Sequence, residues 1–318
     1  MGTIYRHIDN VPTAKARALT VGSFDGVHRG HRALIRRVVD EGERRGISPL
    51  LLTFDPHPRC VISPERPARL LLTPEEELDE LQRVYTGDIL VLKFDQAMMN
   101  LTAEDFVGDI LFRRLNAQVL VAGENHAVGR GRKGDVGKLG EIGKNLGFEL
   151  VVVPPVMHTG KVVSSSAIRN CIEAGQIAEA NELWDSRYAL TGTVVRGIGL
   201  GKKIGFPTAN LKVDARKILP LEGVYATEVE VAGDSHTGML FVGKNHMDPH
   251  AAFSVEAFIF NFCADIYGAR LRYIPLWFLR PNRWITDIAG LTRQLAEDRE
   301  KIENRLSHKE KKSVHENA

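Results

Sequence analysis

Short apolar runs alternate with amphipathic stretches along the first half of the chain. Four apolar runs predict buried strands, at 18–22, 48–54, 117–123 and 148–155. Amphipathic stretches predict helices at 31–46, 74–85 and 102–115. Strands separated by helices imply crossover connections and a parallel sheet, so the first half is predicted to be an α/β domain. Ligands of such sheets bind at the carboxyl ends of the strands.

The pattern changes after 164–184, a segment that predicts one or two helices. From Tyr188 onward, apolar and polar residues alternate, with Gly, Pro and Asp between the runs. This alternation predicts antiparallel strands, and their spacing suits a small closed or partly closed barrel. A closing helix is predicted at 287–306, and the polar tail after it is predicted to be disordered. We therefore divide the chain into 1–186, 187–306 and 307–318.

Composition narrows the class of protein. The chain has 318 residues, of which 43% are apolar and 26% charged, as in soluble globular proteins of about two domains. The net charge of +2 is weakly basic and the charges are mixed, so the charge gives no strong argument for a nucleic-acid partner. The three cysteines lack the spacing of a zinc site or a disulfide framework, which indicates a reducing compartment. No apolar run approaches a membrane span and no signal peptide is recognisable, so we expect a cytoplasmic protein.

The segment GSFDGVHRGH, at 22–31, is the strongest candidate for chemistry. It follows a predicted buried strand, its glycines favour a tight turn, and two histidines lie three residues apart at a helix start. At this spacing His28 and His31 face the same side of the first helical turn. The amides and dipole of that turn attract anions, and imidazoles beside them can stabilise charge during phosphoryl or nucleotidyl transfer. The alternative is a pair of solvated surface histidines.

Three hydroxyls precede a predicted helix in VVSSSAIR, at 162–169. Ser164, Ser165 or Ser166 can act as a helix N-cap. The same hydroxyls, together with backbone amides and Arg169, can instead bind a phosphate. Both interpretations stay open from these residues.

The loop GENHAVGRGRKGD, at 123–135, contains a literal GxGxxG. We reject a dinucleotide fold here, because no clear helix opens at the third glycine and no acidic residue suited to a ribose ends a second strand. Arg130, Arg132 and Lys133 favour either a mobile lid over anions or a plain basic surface loop.

Two prolines stiffen the exit of the second predicted strand in TFDPHP, at 53–58. His57 in this turn either lines a pocket or belongs to a rigid loop without a ligand. These residues alone do not separate the two interpretations.

The second half carries a glycine-rich segment, GIGLGKKIGFPTAN, at 197–210. It is not a Walker A motif, because Arg196 and Lys203 stand where glycine and Ser or Thr are required. Thr208 and Asn210 offer hard oxygen ligands for Mg²⁺, although Asn210 can equally be a turn residue.

One carboxylate lies in a strongly apolar predicted strand. Glu256, in SVEAFIFNF, needs a partner or a purpose there. It is either a general base or a metal-linked acceptor, or an outward-facing residue on a half-exposed strand.

In their order along the chain, these motifs resemble those of the bacterial bifunctional riboflavin kinase/FAD synthetases, over roughly 15–306. The motifs that carry the resemblance are GSFDGVHRGH, TFDPHP, GRGRKGD, SSSAIR, GFPTAN, GVYA, VEAFIFNF and DIYG. The resemblance implies a Rossmann-like nucleotidylyltransferase domain with a parallel sheet, then an antiparallel β-barrel domain with a closing C-terminal helix. It implies two activities: riboflavin is phosphorylated to FMN with ATP, and FMN is adenylylated to FAD with release of pyrophosphate.

The resemblance also implies site residues. In the first half, ATP is expected on Gly22, Phe24, Asp25, His28, His31, Ser164, Ser165, Ser166 and Arg169, with the two histidines catalytic. The flavin is expected beside Pro56, His57, Pro58 and Asn125. In the kinase half, Glu256 is expected as the general base, ATP on Gly201, Lys202, Thr208 and Asn210, and Mg²⁺ on Thr208 and Asn210.

The implied partners are the small molecules riboflavin, FMN and ATP, with no nucleic acid and no membrane, in a monomer or weak homo-oligomer. Some positions depart from the family pattern. FVGKNHMDPHAAF, at 241–253, lacks an expected Pro-Thr, Asn125-His126 replaces Asp-Phe, and Ala167 replaces a frequent arginine. Two alternatives follow: a monofunctional FAD synthetase with an impaired kinase-like domain, and a non-enzymatic flavin- or nucleotide-binding protein.

Overall fold

The computed structural model describes residues 2–66, 68–197, 199–244, 253–283, 285 and 287–316. The chain forms two compact units. The N-terminal unit comprises 1–167 and 183–185, and the C-terminal unit comprises 168–182 and 186–318. Among the described residues, no helix has the length and apolar character needed to cross a membrane.

A parallel sheet forms the centre of the N-terminal unit, with strand order β1-β4-β3-β2-β5-β8. Leu50 and Leu52 pack into one hydrophobic cluster and Leu51 into another, so the sheet is covered on both faces, as in α/β proteins. The strands are β1 (Ile4–Tyr5), β2 (Arg17–Val21), β3 (Ser48–Asp55), β4 (Asp88–Lys93), β5 (Ala117–Gly123) and β8 (Glu149–Val153).

Two short hairpins lie outside this sheet, formed by β6 (Ala127–Val128) with β7 (Gly134–Asp135) and by β9 (Met157–His158) with β10 (Lys161–Val162). The helices that start in this unit are α1 (Arg29–Arg45), α2 (Pro58–Ile62), α3 (Pro74–Val84), α4 (Gln96–Asn100), α5 (Ala103–Asp105), α6 (Val136–Leu146) and α7 (Ser165–Glu173). Their ends follow local sequence rules. Thr73 and Glu76 form a capping box at α3, and Gly46 takes the left-handed conformation that ends α1.

The predicted parallel sheet and its four predicted strands are confirmed, but several elements were not predicted, among them β1 and α6. The strand β4 was not predicted, although DILVLK pairs along its whole length with β3. The helix expected at 102–115 is α-helical only in α5, and residues 106–114 form a π-helix. The hydrophobic periodicity of a short apolar stretch does not distinguish a strand from a helix.

A closed antiparallel barrel forms the C-terminal unit, with strand order β11-β12-β15-β14-β13-β16. Ile302 of α10 is fully buried against Val224, Ala226 and Met239 of the barrel, so this helix closes one side of it. The strands are β11 (Leu190–Val195), β12 (Thr208–Val213), β13 (Gly223–Val231), β14 (Asp234–Lys244), β15 (Phe253–Ile259) and β16 (Arg270–Pro281). The remaining helices are α8 (Ile177–Trp184), α9 (Leu200–Lys203) and α10 (Ile288–Glu316).

The predicted barrel and closing helix are confirmed, with two corrections. Residues 208–213 form strand β12, so Asn210 is not a turn residue. The closing helix does not end near residue 306 but continues to Glu316, so 307–316 is helical where disorder was expected. Its lysines and glutamates are good helix formers, which explains the continuation. Residues 317 and 318 lie outside the described residues.

Candidate active sites

The turn after β2 builds the first candidate site. The strand ends at Val21, where the Gly22 amide donates to the Leu52 carbonyl at 3.0 Å. The chain then turns sharply, with Gly26 at φ +95° and Val27 at φ +44°. A β-branched residue at positive φ is strained, so surrounding contacts must hold Val27 in place. The turn lies at the carboxyl end of a parallel strand, where such sheets bind ligands.

Two imidazoles stack at the start of α1. His28 is the N-cap residue, and its Nδ1 accepts from the His31 amide at 3.4 Å. The ring centroids of His28 and His31 are 3.7 Å apart with planes 17° from parallel, as the spacing of three residues predicted. Because Nδ1 of His28 accepts, the ring proton of the neutral form lies on Nε2, where it can be donated to an oxygen. An N-terminal helical turn with two such rings suits a bound anion.

Two predicted neighbours of this turn are buried and have structural contacts. Oδ1 of Asp25 accepts from the amides of Leu71 and Leu72, at 2.8 and 3.0 Å. Phe24 is 1% exposed, and its ring packs edge-to-face with the His31 ring, with the two ring centroids 5.4 Å apart. Both residues therefore shape the turn from inside the protein, and their contact with ATP stays a prediction.

The serine-rich segment meets this turn from a distant part of the chain. The Ser165 hydroxyl donates to the Asp25 carbonyl at 2.9 Å, across 140 residues of sequence. Ser164 accepts from the Ala167 amide at 3.2 Å, which is the N-capping role left open above. Ser166 is exposed, and Arg169 is buried on α7. The structure thus brings Ser165 to the GSFDGVHRGH turn within the N-terminal unit, which the sequence alone did not show.

The TFDPHP turn forms part of a cavity wall. His57 caps α2, because its Nδ1 accepts from the Arg59 amide at 3.1 Å. The cavity encloses about 330 Å³ of free space, part of it open to solvent, and is also lined by Thr53, Asp55 and Glu77. His57 therefore combines the two roles left open above: it stiffens the turn and also lines a pocket.

Sequence reasoning missed Glu77, the buried carboxyl in this cavity. It is 8% exposed, and its Oε1 accepts from the Thr53 hydroxyl at 2.9 Å. Burial raises the pKa of Glu77 to about 8, and the nearby carboxyls of Asp25 and Asp55 act in the same direction. The group is therefore mostly protonated at neutral pH. Its position in TPEEELDEL gives only an ordinary helix-start signal, so the pattern could not single it out.

The GRGRKGD segment is a packed hairpin with exposed basic side chains. Helix α6 begins at Val136, two residues after the third glycine of the GxGxxG, Gly134. The prediction that no helix opens there, which was one ground for rejecting a dinucleotide fold, is therefore wrong. A Cβ on Gly129 would lie 2.5 Å from the Ala103 amide nitrogen, and the Arg130 amide donates to the Leu101 carbonyl at 2.7 Å. The hairpin therefore packs against residues 101–103, which favours the interpretation as a basic surface loop over that as a mobile lid.

Asn125, predicted to lie beside the flavin, and His126, which stands with it in place of the family's Asp-Phe, differ in exposure. Asn125 is exposed, and its carbonyl accepts from Arg132 at 3.1 Å. The Nε2 atom of His126 is buried and has no hydrogen-bond partner among the described residues. Burial, with a smaller effect of Arg132, lowers the pKa of His126 to about 4, so the ring is neutral at pH 7.

The second candidate site lies where β12 pairs with β15. Asn210 stands directly opposite Glu256 in the strand register. The Glu256 carboxylate accepts from two hydroxyls, Thr208 to Oε2 at 3.0 Å and Ser254 to Oε1 at 2.8 Å. The predicted trio of Thr208, Asn210 and Glu256 is thus assembled in one place. Ser254 was not predicted, although it lies two residues before Glu256 on the same strand face.

The glycine-rich segment before β12 approaches this site closely. A Cβ on Gly197 would lie 2.3 Å from the Asn210 amide nitrogen, and one on Gly201 would lie 2.2 Å from the Phe206 carbonyl oxygen. Packing therefore requires glycine at Gly201, where the obstacle is backbone, whereas at Gly197 the obstacle is the Asn210 side chain. Lys202 is exposed on α9. In the altered segment 241–253, residues 245–252 lie outside the described residues.

The described residues contain no group of three or more His, Cys, Asp or Glu that could hold a metal ion. The side-chain oxygens of Thr208 and Asn210 nevertheless fit Mg²⁺, which prefers hard oxygen ligands and takes few of them from protein.

Comparison with known proteins matches the two halves separately. A family model described as FAD synthetase matches residues 11–167, and one described as riboflavin kinase matches residues 185–306. A curated protein of Listeria monocytogenes named bifunctional riboflavin kinase/FMN adenylyltransferase is 33% identical, over 94% of this chain and 96% of its own length. A protein of the same name from Escherichia coli strain K12 is 30% identical, over 93% and 95%.

A solved structure matches nearly the whole chain. It is described as a macrolide-efflux protein from Streptococcus pneumoniae, and it superposes with a TM-score of 0.82 at 29% identity. The match covers 95% of this chain and 99% of that one. The efflux description applies to that protein, and the similarity supports the architecture given above.

Proposed function

Because this chain belongs to the family of bifunctional riboflavin kinase/FMN adenylyltransferases, we propose that each of its two units carries one step of FAD synthesis. The barrel phosphorylates riboflavin to FMN, and the N-terminal unit adenylylates FMN to FAD. Both steps use ATP and a flavin as substrates. One observation carries this assignment: the FAD synthetase match covers 11–167, the riboflavin kinase match covers 185–306, and each range contains one candidate site.

In the adenylyl transfer, a phosphate oxygen of FMN attacks the α-phosphorus of ATP. The bond from that phosphorus to the bridging oxygen of the β-phosphate breaks, and pyrophosphate leaves. His28 and His31 donate to phosphate oxygens as negative charge shifts onto the leaving group. The N-terminal amides of α1 add to this stabilisation, so positioning and charge suffice without a covalent intermediate. We place Ser166 and Arg169 beside the phosphates, and Pro56, Pro58 and Asn125 beside the flavin.

In the kinase step, the Glu256 carboxylate removes the proton of the riboflavin 5′-hydroxyl as it attacks the γ-phosphorus of ATP, and ADP leaves. A positioned base of this kind is typically worth about 10²–10⁴-fold in rate. The hydroxyls of Thr208 and Ser254 hold both carboxylate oxygens, which orients the base. Thr208 and Asn210 would hold Mg²⁺, which supplies charge neutralisation at the phosphates. The Thr208 hydroxyl can do both, because it donates its proton to Glu256 and keeps lone pairs for the ion.

The altered segment favours a second candidate, a monofunctional FAD synthetase. The segment 241–253 lacks Pro-Thr. In this candidate the barrel therefore phosphorylates riboflavin only weakly, and FAD formation from FMN is the main activity. The intact cluster around Glu256 favours two activities.

We also propose the cytoplasm as the compartment, since both reactions consume ATP, and 186/187 as the domain boundary.

Chromatography of flavins after incubation with MgATP tests the assignment. Riboflavin should become FMN and then FAD, and FMN should become FAD. His28→Ala should stop FAD formation and leave FMN formation intact, whereas Glu256→Gln should do the reverse. Removal of Mg²⁺ with a chelator should stop both. Loss of both activities in either folded variant would contradict the two-site assignment, and FAD formation without FMN formation by the wild-type chain would establish the second candidate.

A further inference from the structure

Three successive carbonyls of the turn after β2 each accept from a side chain. Ser165 donates to the carbonyl of Asp25 at 2.9 Å, the Trp184 indole N–H donates to that of Gly26, and Nε of Arg32 donates to that of Val27 at 3.1 Å. A trans peptide is planar, so a fixed carbonyl also fixes the N–H of the next residue in the opposite direction. The three donors therefore set where the amides from Gly26 to His28 point.

Trp184 reaches this turn from 158 residues away in the sequence. It is the last residue of α8, it is 2% exposed, and Leu183–Asp185 belongs to the same compact unit as the turn. A Cβ on Gly26 would lie 3.5 Å from the indole nitrogen. The indole therefore packs directly on the one residue of the turn that needs φ +95°.

The residue after Trp184 holds the start of α1. Asp185 accepts from Arg29 at 2.7 Å and from Arg32 at 3.4 Å. Arg29 is the first residue of α1, directly after His28. Two neighbouring residues thus fix both sides of His28: Trp184 fixes the turn before it, and Asp185 fixes the helix after it.

We propose that Trp184, assisted by Asp185, is a positioning residue for adenylyl transfer. It does not touch the substrate; it holds the Gly26 carbonyl, and the N–H of the same peptide, that of Val27, donates to the Phe24 carbonyl at 2.7 Å. The turn is thereby fixed in the shape that presents the stacked imidazoles of His28 and His31 to the phosphates. The proposal rests on the function proposed above. Its physical basis is that a displacement of about 1 Å in a reacting group can cost as much as 10²-fold in rate.

Trp184→Phe tests the proposal, because phenylalanine keeps a buried ring and removes the N–H. We expect kcat for FAD formation from FMN to fall roughly tenfold or more, with KM for ATP changed less than about threefold. Riboflavin phosphorylation, measured in the same preparation, should be unchanged. Tyr85→Phe is the matched control: it removes a buried hydroxyl that has no partner among the described residues of the same unit, and kcat should stay unchanged.

A merely structural role for Trp184 predicts a different result. The melting temperature would then fall while kcat per folded molecule stayed at the wild-type value, and that outcome overturns the proposal. If Trp184→Phe does not fold, Asp185→Asn serves instead, with an expected fall in the same kcat of roughly three- to tenfold. An unchanged kcat there also overturns the proposal. A wild-type chain that makes no FAD contradicts the proposed function, a result distinct from either of these.

Discussion

Replacing Glu77 by glutamine is predicted to stabilise the N-terminal unit at pH 8 and to change little at pH 5. The carboxyl is buried, and its Oε1 accepts the Thr53 hydroxyl at 2.9 Å. Burial is the main cause that raises its pKa to about 8, and Asp25 and Asp55 contribute to the shift. Glutamine keeps the size and the acceptor for Thr53, and it carries no charge at any pH.

The size of the effect follows from the difference between folded and unfolded pKa values. In the unfolded chain Glu77 ionises near 4.5, and in the folded chain near 8. Between these values the folded state binds one proton more than the unfolded state, so stability falls as pH rises, by about 1.4 kcal/mol per pH unit. By pH 8 the wild-type chain should have lost roughly 3–5 kcal/mol relative to Glu77→Gln, and by pH 5 less than about 1 kcal/mol.

Urea unfolding of the full chain from pH 5 to pH 9 measures this. In the difference between the unfolding free energies of variant and wild type, the contributions of the other titrating groups cancel. Both free energies are measured on the unfolding transition whose midpoint the substitution shifts. Glu75→Gln is the matched control, because Glu75 lies on the same helix and is exposed. Its difference should stay flat within about 0.5 kcal/mol. A flat difference for Glu77→Gln as well would refute the reasoning, since the carboxyl would then ionise alike in both states.

Four further substitutions, one of them a control, have defined outcomes. Asp298→Asn removes the charge that binds the buried Arg280 guanidinium, and it should lower the unfolding free energy by about 3–5 kcal/mol in urea. Gly129→Ala puts a methyl group 2.5 Å from the backbone of α5 at φ +73° and should cost about 3 kcal/mol by the same assay, whereas Gly131→Ala, at φ +66° with nothing within 4 Å, should cost about 1. Ser254→Ala removes one of two donors that orient the proposed base and should slow FMN formation roughly three- to tenfold, with FAD formation from FMN unchanged as the internal control.

Local geometry explains which parts of the fold could be predicted. The spacing of His28 and His31 is a property of one helical turn, and the rings stack as that spacing implies. The sheet and barrel follow from long stretches of regular pattern. Strand β12 was not predicted, although TANLKV alternates polar and apolar residues and buries Ala209 and Leu211. So short a run gives a weak signal, and the strand is identified in the folded chain by its pairing with β11 and β15.

Contacts between distant segments explain the rest. The opposition of Asn210 and Glu256 depends on strand register, and a shift by one residue would turn each side chain to the other face. The three carbonyls of the turn after β2 accept from Ser165, Trp184 and Arg32, and a backbone carbonyl accepts from any donor of suitable reach. Such a contact imposes no residue type and leaves no motif. The motifs that carry the family resemblance are therefore recognisable from a sequence of this kind, while the groups that orient them become visible only in the folded chain. Variants outside the motifs, at Trp184 above all, are where the structure adds most to the prediction of activity.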